Sequence, residues 1–159
     1  MRAAILTVST SRAAGEGGDE GGDALADFAA SIGAEIVGRE VIPDDQHWIS
    51  ERLVHWADRG DCNLVLTTGG TGFSPNDLTP EATRAVVQRE APGIPEAMRA
   101  ASRPHTRHWI LSRGVAGIRG TTLIVNFPGS PKSIREAGDA IAGALPHGLE
   151  LLAGKRSAH

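Results

Sequence analysis

Apolar residues recur along this chain in two alternating rhythms. Short runs at Ala3 to Val8, Glu35 to Ile42 and Leu64 to Leu66 read as strands, and Leu64-Val65-Leu66 has the unbroken character of a strand buried on both faces. Between them apolar residues fall three and four apart. From Asp23, the positions Leu25, Phe28, Ala29 and Ile32 predict an amphipathic helix stopped by Gly33, after a loop over Ser9 to Gly22. Trp48 (or Ile49), Leu53 and Trp56 predict a second helix, capped by Asp44 and ended at Gly60. Thr79-Pro80-Glu81 opens a third, with a hydroxyl cap, proline at the first helical position and an acid in the first turn, running to about Glu90. Ile94 to Ala101 predicts another helix. Trp109 to Ser112 and Thr121 to Asn126 read as a hairpin with a long glycine loop. Ser130 caps and Pro131 opens a helix after β-rich Thr121–Asn126, and a last helix covers His147 to Leu152. Strands alternating with helices predict an α/β fold, a three-layer αβα sandwich with a mostly parallel sheet, in one domain over 1–154 with a frayed tail over 155–159.

In such sheets ligands bind beyond the carboxyl ends of the strands. Ser9-Thr10-Ser11, Asp44, the Thr67–Asp77 loop and the Asn126–Lys132 turn all hold that position, and strand order decides whether they meet. The loop Thr67-Thr68-Gly69-Gly70-Thr71-Gly72 feeds a helix start, an arrangement in which backbone amides and the helix dipole receive an anion; a bare tight turn is the plainer use of the same glycines. No lysine follows Gly72 before the helix, so this is not a P-loop, and Phe73-Ser74-Pro75 breaks the dinucleotide spacing. If the loop ligates phosphate, Asp77 is an acid among its ligands, repulsive unless a cation intervenes, and so points to magnesium; it has a second use as a helix cap.

Composition narrows the classes. The chain has 159 residues, a formal net charge of -3 and 40% apolar residues. No basic block interleaved with aromatics argues for nucleic acid, and no apolar run approaches a membrane span. The short apolar start lacks a cleavage pattern, and the single Cys62 permits no internal disulfide, so the expected compartment is cytoplasmic and Cys62 a core or edge residue. His105 and His108, beside Arg103 and Arg107, are more often a solvated segment than an anion or metal site.

Several separated motifs occur in one order: Thr67–Gly72, Asp77-Leu78-Thr79-Pro80-Glu81-Ala82-Thr83, Arg89–Gly93, Leu111-Ser112-Arg113, Gly117–Gly120, Asn126–Lys132 and Ile42-Pro43-Asp44-Asp45. Over about residues 3 to 153 the chain resembles the MogA/MoaB-type molybdenum cofactor biosynthesis domain, also seen in gephyrin and plant Cnx proteins. The resemblance implies a homotrimer that transfers AMP from ATP to the terminal phosphate of molybdopterin, releasing pyrophosphate, with handover to a molybdate-insertion protein. It implies Asp44 and Asp77 as catalytic acids that hold Mg2+. It further implies that Gly69, Gly70, Thr71, Gly72, Ser112, Pro128, Gly129, Ser130 and Lys132 bind substrate and nucleotide.

That chemistry needs no protein nucleophile, because the attacking phosphate is already ionised; it needs in-line placement and charge neutralisation. The chain departs from the family pattern twice: Thr10 stands where an Asp is common, and Asn76 where an Arg is common. The alternatives are a non-catalytic molybdopterin-binding or scaffolding paralogue and, more weakly, a nucleotide pyrophosphatase of the competence-damage type.

Overall fold

The computed structural model describes residues 1–155, so the expected tail lies, apart from Lys155, outside the described residues. Six strands form one sheet in the order β2-β1-β3-β6-β5-β4. The strands are β1 (Arg2–Val8), β2 (Glu35–Ile42), β3 (Leu64–Thr68), β4 (Arg89–Glu90), β5 (Ala116–Arg119) and β6 (Thr122–Phe127). The first four in that order run parallel, while β5 is antiparallel to both of its neighbours.

Side-chain alternation along the central strands builds two cores. Ala3, Ile5, Leu64, Leu66, Leu123, Val125 and Phe127 face one side. There they meet helices α2 (Glu20–Ser31), α5 (Gly93–Ser102), α6 (Pro131–Ile141) and α7 (Leu145–Leu152) through Leu25, Phe28, Met98, Ile134 and Leu149. Ala4, Leu6, Val8, Val65 and Ile124 face the other side, covered by α3 (Gln46–Asp58) and α4 (Thr79–Val86) through Ile49, Leu53, Trp56 and Val86. The result is the three-layer αβα arrangement. A fully buried Leu or Ile contributes about 1.5–3 kcal/mol relative to exposure, and β3 is buried along its whole length.

Several elements differ from the sequence reading. The loop after β1 contains a one-turn helix α1 (Thr10–Ala13), and α2 begins at Glu20 because Asp19 accepts from the Gly22 amide at 3.0 Å. Helix α3 is capped by Asp45, whose Oδ1 accepts from Trp48 N at 2.9 Å, and not by Asp44; Ile49 is buried while Trp48 faces solvent. Helix α4 stops at Val86, since Val87 is extended and leads into β4. Trp109 to Leu111 belong to a 3-10 turn (Arg107–Leu111), and the hairpin partner of β6 is instead β5. Helix α7 starts at Leu145, two residues before His147.

Candidate functional site

The carboxyl ends of β2, β1, β3 and β6 lie side by side, so the loops singled out in the sequence share one edge of the sheet. Gly69 and Gly70 have φ of 92° and 65°, a backbone region costly to any residue with a Cβ. A side chain at Gly69 would also overlap the Val8 carbonyl, and one at Gly70 the Thr79 hydroxyl. Here glycine is required twice over. Thr79 is the first residue of α4, not its cap. Its Oγ1 donates to Gly69 O at 3.0 Å and its amide to Gly70 O at 3.1 Å, stitching the helix start to the loop.

Beyond Gly70 the turn projects outward and carries Asp77. Asp77 is half-buried and does not cap α4, whose N-cap residue Leu78 makes no side-chain cap bond. Its Oδ2 accepts from Ser74 N at 2.9 Å; among the described residues no protein donor reaches Oδ1. A Cβ on Gly72 would come within 2.9 Å of Oδ2, so the missing side chain leaves room for the carboxylate.

Arg113, on a segment from across the edge, holds this turn at both ends. Its amide donates to Thr71 O at 2.9 Å, its Nε to Gly72 O at 2.7 Å and its Nη2 to Asp77 O at 2.7 Å. Nη1 pairs with Glu81 on α4, and that hydrogen bond holds the Glu81 carboxyl below the ordinary glutamate range. The sequence marked Arg113 only as part of a motif. A guanidinium bonded to carbonyls has no spacing signature that would have assigned it to the loop.

Asp44 lies two residues past β2 and is tied to the end of β1. Thr10 N and Thr10 Oγ1 donate to Asp44 Oδ2 at 2.8 and 3.0 Å, and Asp44 N donates back to Thr10 Oγ1 at 3.0 Å. Among the described residues no hydrogen bond joins Asp44 to Asp77. No three His, Cys, Asp or Glu side chains cluster there, among the described residues, as a metal cage.

The turn after β6 completes the edge. Pro128 O accepts from Thr68 Oγ1 at 2.7 Å, and a Cβ on Gly129 would lie 3.8 Å from Gly69 Cα, so the β3 and β6 loops abut. Ser130 caps α6 by accepting from Ser133 N at 3.2 Å. Lys132, in the first turn of α6, is exposed at its side chain, with Nζ 3.9 Å from Glu136. Beneath, buried Asn126 donates to the Thr67 and Thr83 hydroxyls at 3.1 and 2.9 Å and accepts from Val115 N, tying β3, α4 and β6 together. Ser112 and Pro128 line an adjoining cleft of about 260 Å³ with Met98, Arg99 and Trp109. His108 lines the same cleft, whereas His105 Nδ1 sits 3.6 Å from Glu136. Cys62 is buried, donates to Leu64 O at 3.2 Å, and has its thiol pushed up by burial, which removes it as a nucleophile.

The sequence model of a probable molybdopterin binding domain matches residues 4–147. The chain belongs to that family. Other molybdopterin-binding-domain proteins match closely. A molybdopterin adenylyltransferase of Escherichia coli K12 is 40% identical over 156 residues, covering 94% of this chain and 80% of its own length. One from Helicobacter pylori J99 is 45% identical over 115 residues, 72% of this chain. The structure of the molybdopterin biosynthesis enzyme MoaB from Thermus thermophilus superposes with a TM-score of 0.90 at 47% identity over 97% of both chains. The chain spans only 65% of the Helicobacter protein and 20% of the Drosophila protein cinnamon. Molybdopterin-binding domains thus also occur inside longer proteins.

Proposed function

We propose that this chain is a molybdopterin adenylyltransferase. The observation that carries the reading is the single edge on which the glycine loop, Asp77, Asp44 and the Pro128–Lys132 turn converge. An oxygen of the molybdopterin terminal phosphate attacks the α-phosphorus of ATP, the bond to the β-phosphate oxygen breaks, and pyrophosphate leaves. The attacking oxygen brings no proton that needs removal, so the protein's task is placement and charge balance.

Amides of Gly70, Thr71 and Gly72, held rigid by Arg113 and Thr79, are the donors for phosphate oxygens. The start of α6 and the exposed Lys132 ammonium add positive charge from the adjoining turn. Ser112, Pro128 and the cleft behind them offer apolar walls and a few polar groups to an organic ring. The residues fit magnesium: Asp77 and Asp44 each keep a carboxylate oxygen clear of protein donors among the described residues. Mg2+ takes hard oxygen ligands and uses phosphates and water for the rest of its shell. Asp77 and Asp44 would hold it, and it would neutralise charge on the triphosphate.

Trimeric assembly belongs to the same reading. A groove of about 600 Å³, lined by Ile94, Ala97, Ile118, Ile141, Leu145 and half-exposed Leu151, is an apolar face suited to a neighbouring copy. A cytoplasmic location and handover of the product to a molybdate-insertion protein complete it. Among the described residues no helix is long and apolar enough to cross a membrane.

The test is to incubate the protein with molybdopterin, ATP and magnesium and weigh the product. Adenylylated molybdopterin is expected. Asp77→Asn should lower its formation by about 100-fold or more, while molybdopterin still binds. Bound but unmodified molybdopterin in the wild type would favour the scaffolding alternative.

A further inference from the structure

Thr10 is the position at which the family resemblance anticipates an acid, yet the structure gives its hydroxyl a specific partner. Ser9 N donates to Ile42 O at 2.9 Å, closing the ends of β1 and β2 and bringing Thr10 level with Asp44. From there Thr10 makes three bonds to one residue 34 positions away. Its amide and hydroxyl both donate to Asp44 Oδ2, and its hydroxyl oxygen accepts the Asp44 amide. Both donations fall on the same carboxylate oxygen. Oδ2 is held twice, which restrains the rotation of the carboxylate, and among the described residues Oδ1 accepts no hydrogen bond.

We propose that Thr10 is a positioning residue for Asp44, orienting its free carboxylate oxygen toward the cation that accompanies the nucleotide. This role rests on the adenylyltransferase reading. A hydroxyl can serve here because it donates and accepts at once. An aspartate in its place would only accept, and would set a second negative charge about 3 Å from the first. The chain therefore holds its edge acid with a neutral group where an acid would need additional positive charge to do the same.

Thr10 is exposed, so losing its hydroxyl leaves the core intact. Thr10→Val, Thr10→Ser and Thr10→Asp are compared with the wild type by turnover and by calorimetric titration of ATP at stepped magnesium concentrations. Thr10→Val should lower kcat about 10–100-fold, the range for residues that orient a metal ligand. It should raise the magnesium concentration that half-supports ATP binding about tenfold, the lower end of the same range, with the KM for molybdopterin and the melting temperature little changed. Thr10→Ser, which keeps the hydroxyl, should restore both, and Thr10→Asp should shift the magnesium requirement without restoring kcat.

Thr10→Val indistinguishable from an active wild type in both measurements overturns the role. So does Thr10→Ser failing as badly as Thr10→Val. A wild type that forms no adenylylated product overturns the adenylyltransferase reading instead, and the magnesium titration of ATP binding then decides Thr10 alone. Absence of ATP binding at any magnesium concentration overturns both.

Discussion

Ser130 is where one side chain bears on both the fold and the proposed site. It caps α6 through Ser133 N while standing beside Gly129 and two residues from Lys132. Aspartate caps helices about as well as serine, so Ser130→Asp keeps α6 and changes chiefly the local charge. If this turn receives a phosphate, the added carboxylate should weaken substrate binding by about tenfold or more while the melting temperature holds. Unchanged affinity in calorimetry would remove the turn from the site. Asp44 and Asp45 make a similar point. Both were readable as acids after β2, but the cap went to Asp45, and that leaves Asp44 available to Thr10.

Among elements, the turn over 72–77 depends on a clamp rather than on its own length. Arg113 bonds its two ends, and Glu81 on α4 holds the guanidinium from behind. Because the pairing lowers the folded-state carboxyl below its unfolded value near about 4.3, it stabilises the protein above that pH. The contribution is lost as pH falls through the depressed folded value. Thermal melts of wild type and Glu81→Gln should therefore differ at about pH 7, with the wild type higher, and the gap should narrow as pH falls below about 4.3 and close once the depressed folded value is passed. A gap that persists into acid would mean that the ion pair is not its source.

What the sequence revealed about these elements follows from what leaves a local trace. Leu25, Phe28 and Ala29 announced α2 by period, but glycines around Asp19 hid its first turn. Trp109-Ile110-Leu111 reads as a strand by composition alone. It folds as a tight 3-10 turn because a three-residue apolar run does not fix a period. Arg89–Glu90 is polar and has no strand signature; it pairs only because β5 lies beside it. The glycine loop and the Ser130-Pro131 helix start were legible because φ above zero and a capping hydroxyl demand particular residues. Arg113 and Thr10 were not, since their partners lie far along the chain.

On the scale of the whole molecule, the parallel order β2-β1-β3-β6 is what brings four distant loops to one edge of the sheet. The same sheet leaves an apolar face over α5, α7 and β5, where Leu151 is 50% exposed. If that face packs against a second and third copy, light scattering should give three times the 16.6 kDa chain mass. Leu151→Glu should then shift the population toward monomer by placing a charge in an apolar interface. A monomeric wild type would refute the trimer outright.

Strand β3, buried along its length, pairs with β1 on one side and β6 on the other, and Thr67 meets Asn126 across 59 residues of chain. During synthesis, then, β3 leaves the ribosome long before the strand that covers its second flank. For that interval it is an open, sticky margin on a growing polypeptide, ready to pair with another nascent chain. Slower translation between Thr68 and Thr122 would lengthen that interval and, with it, the exposure of this margin.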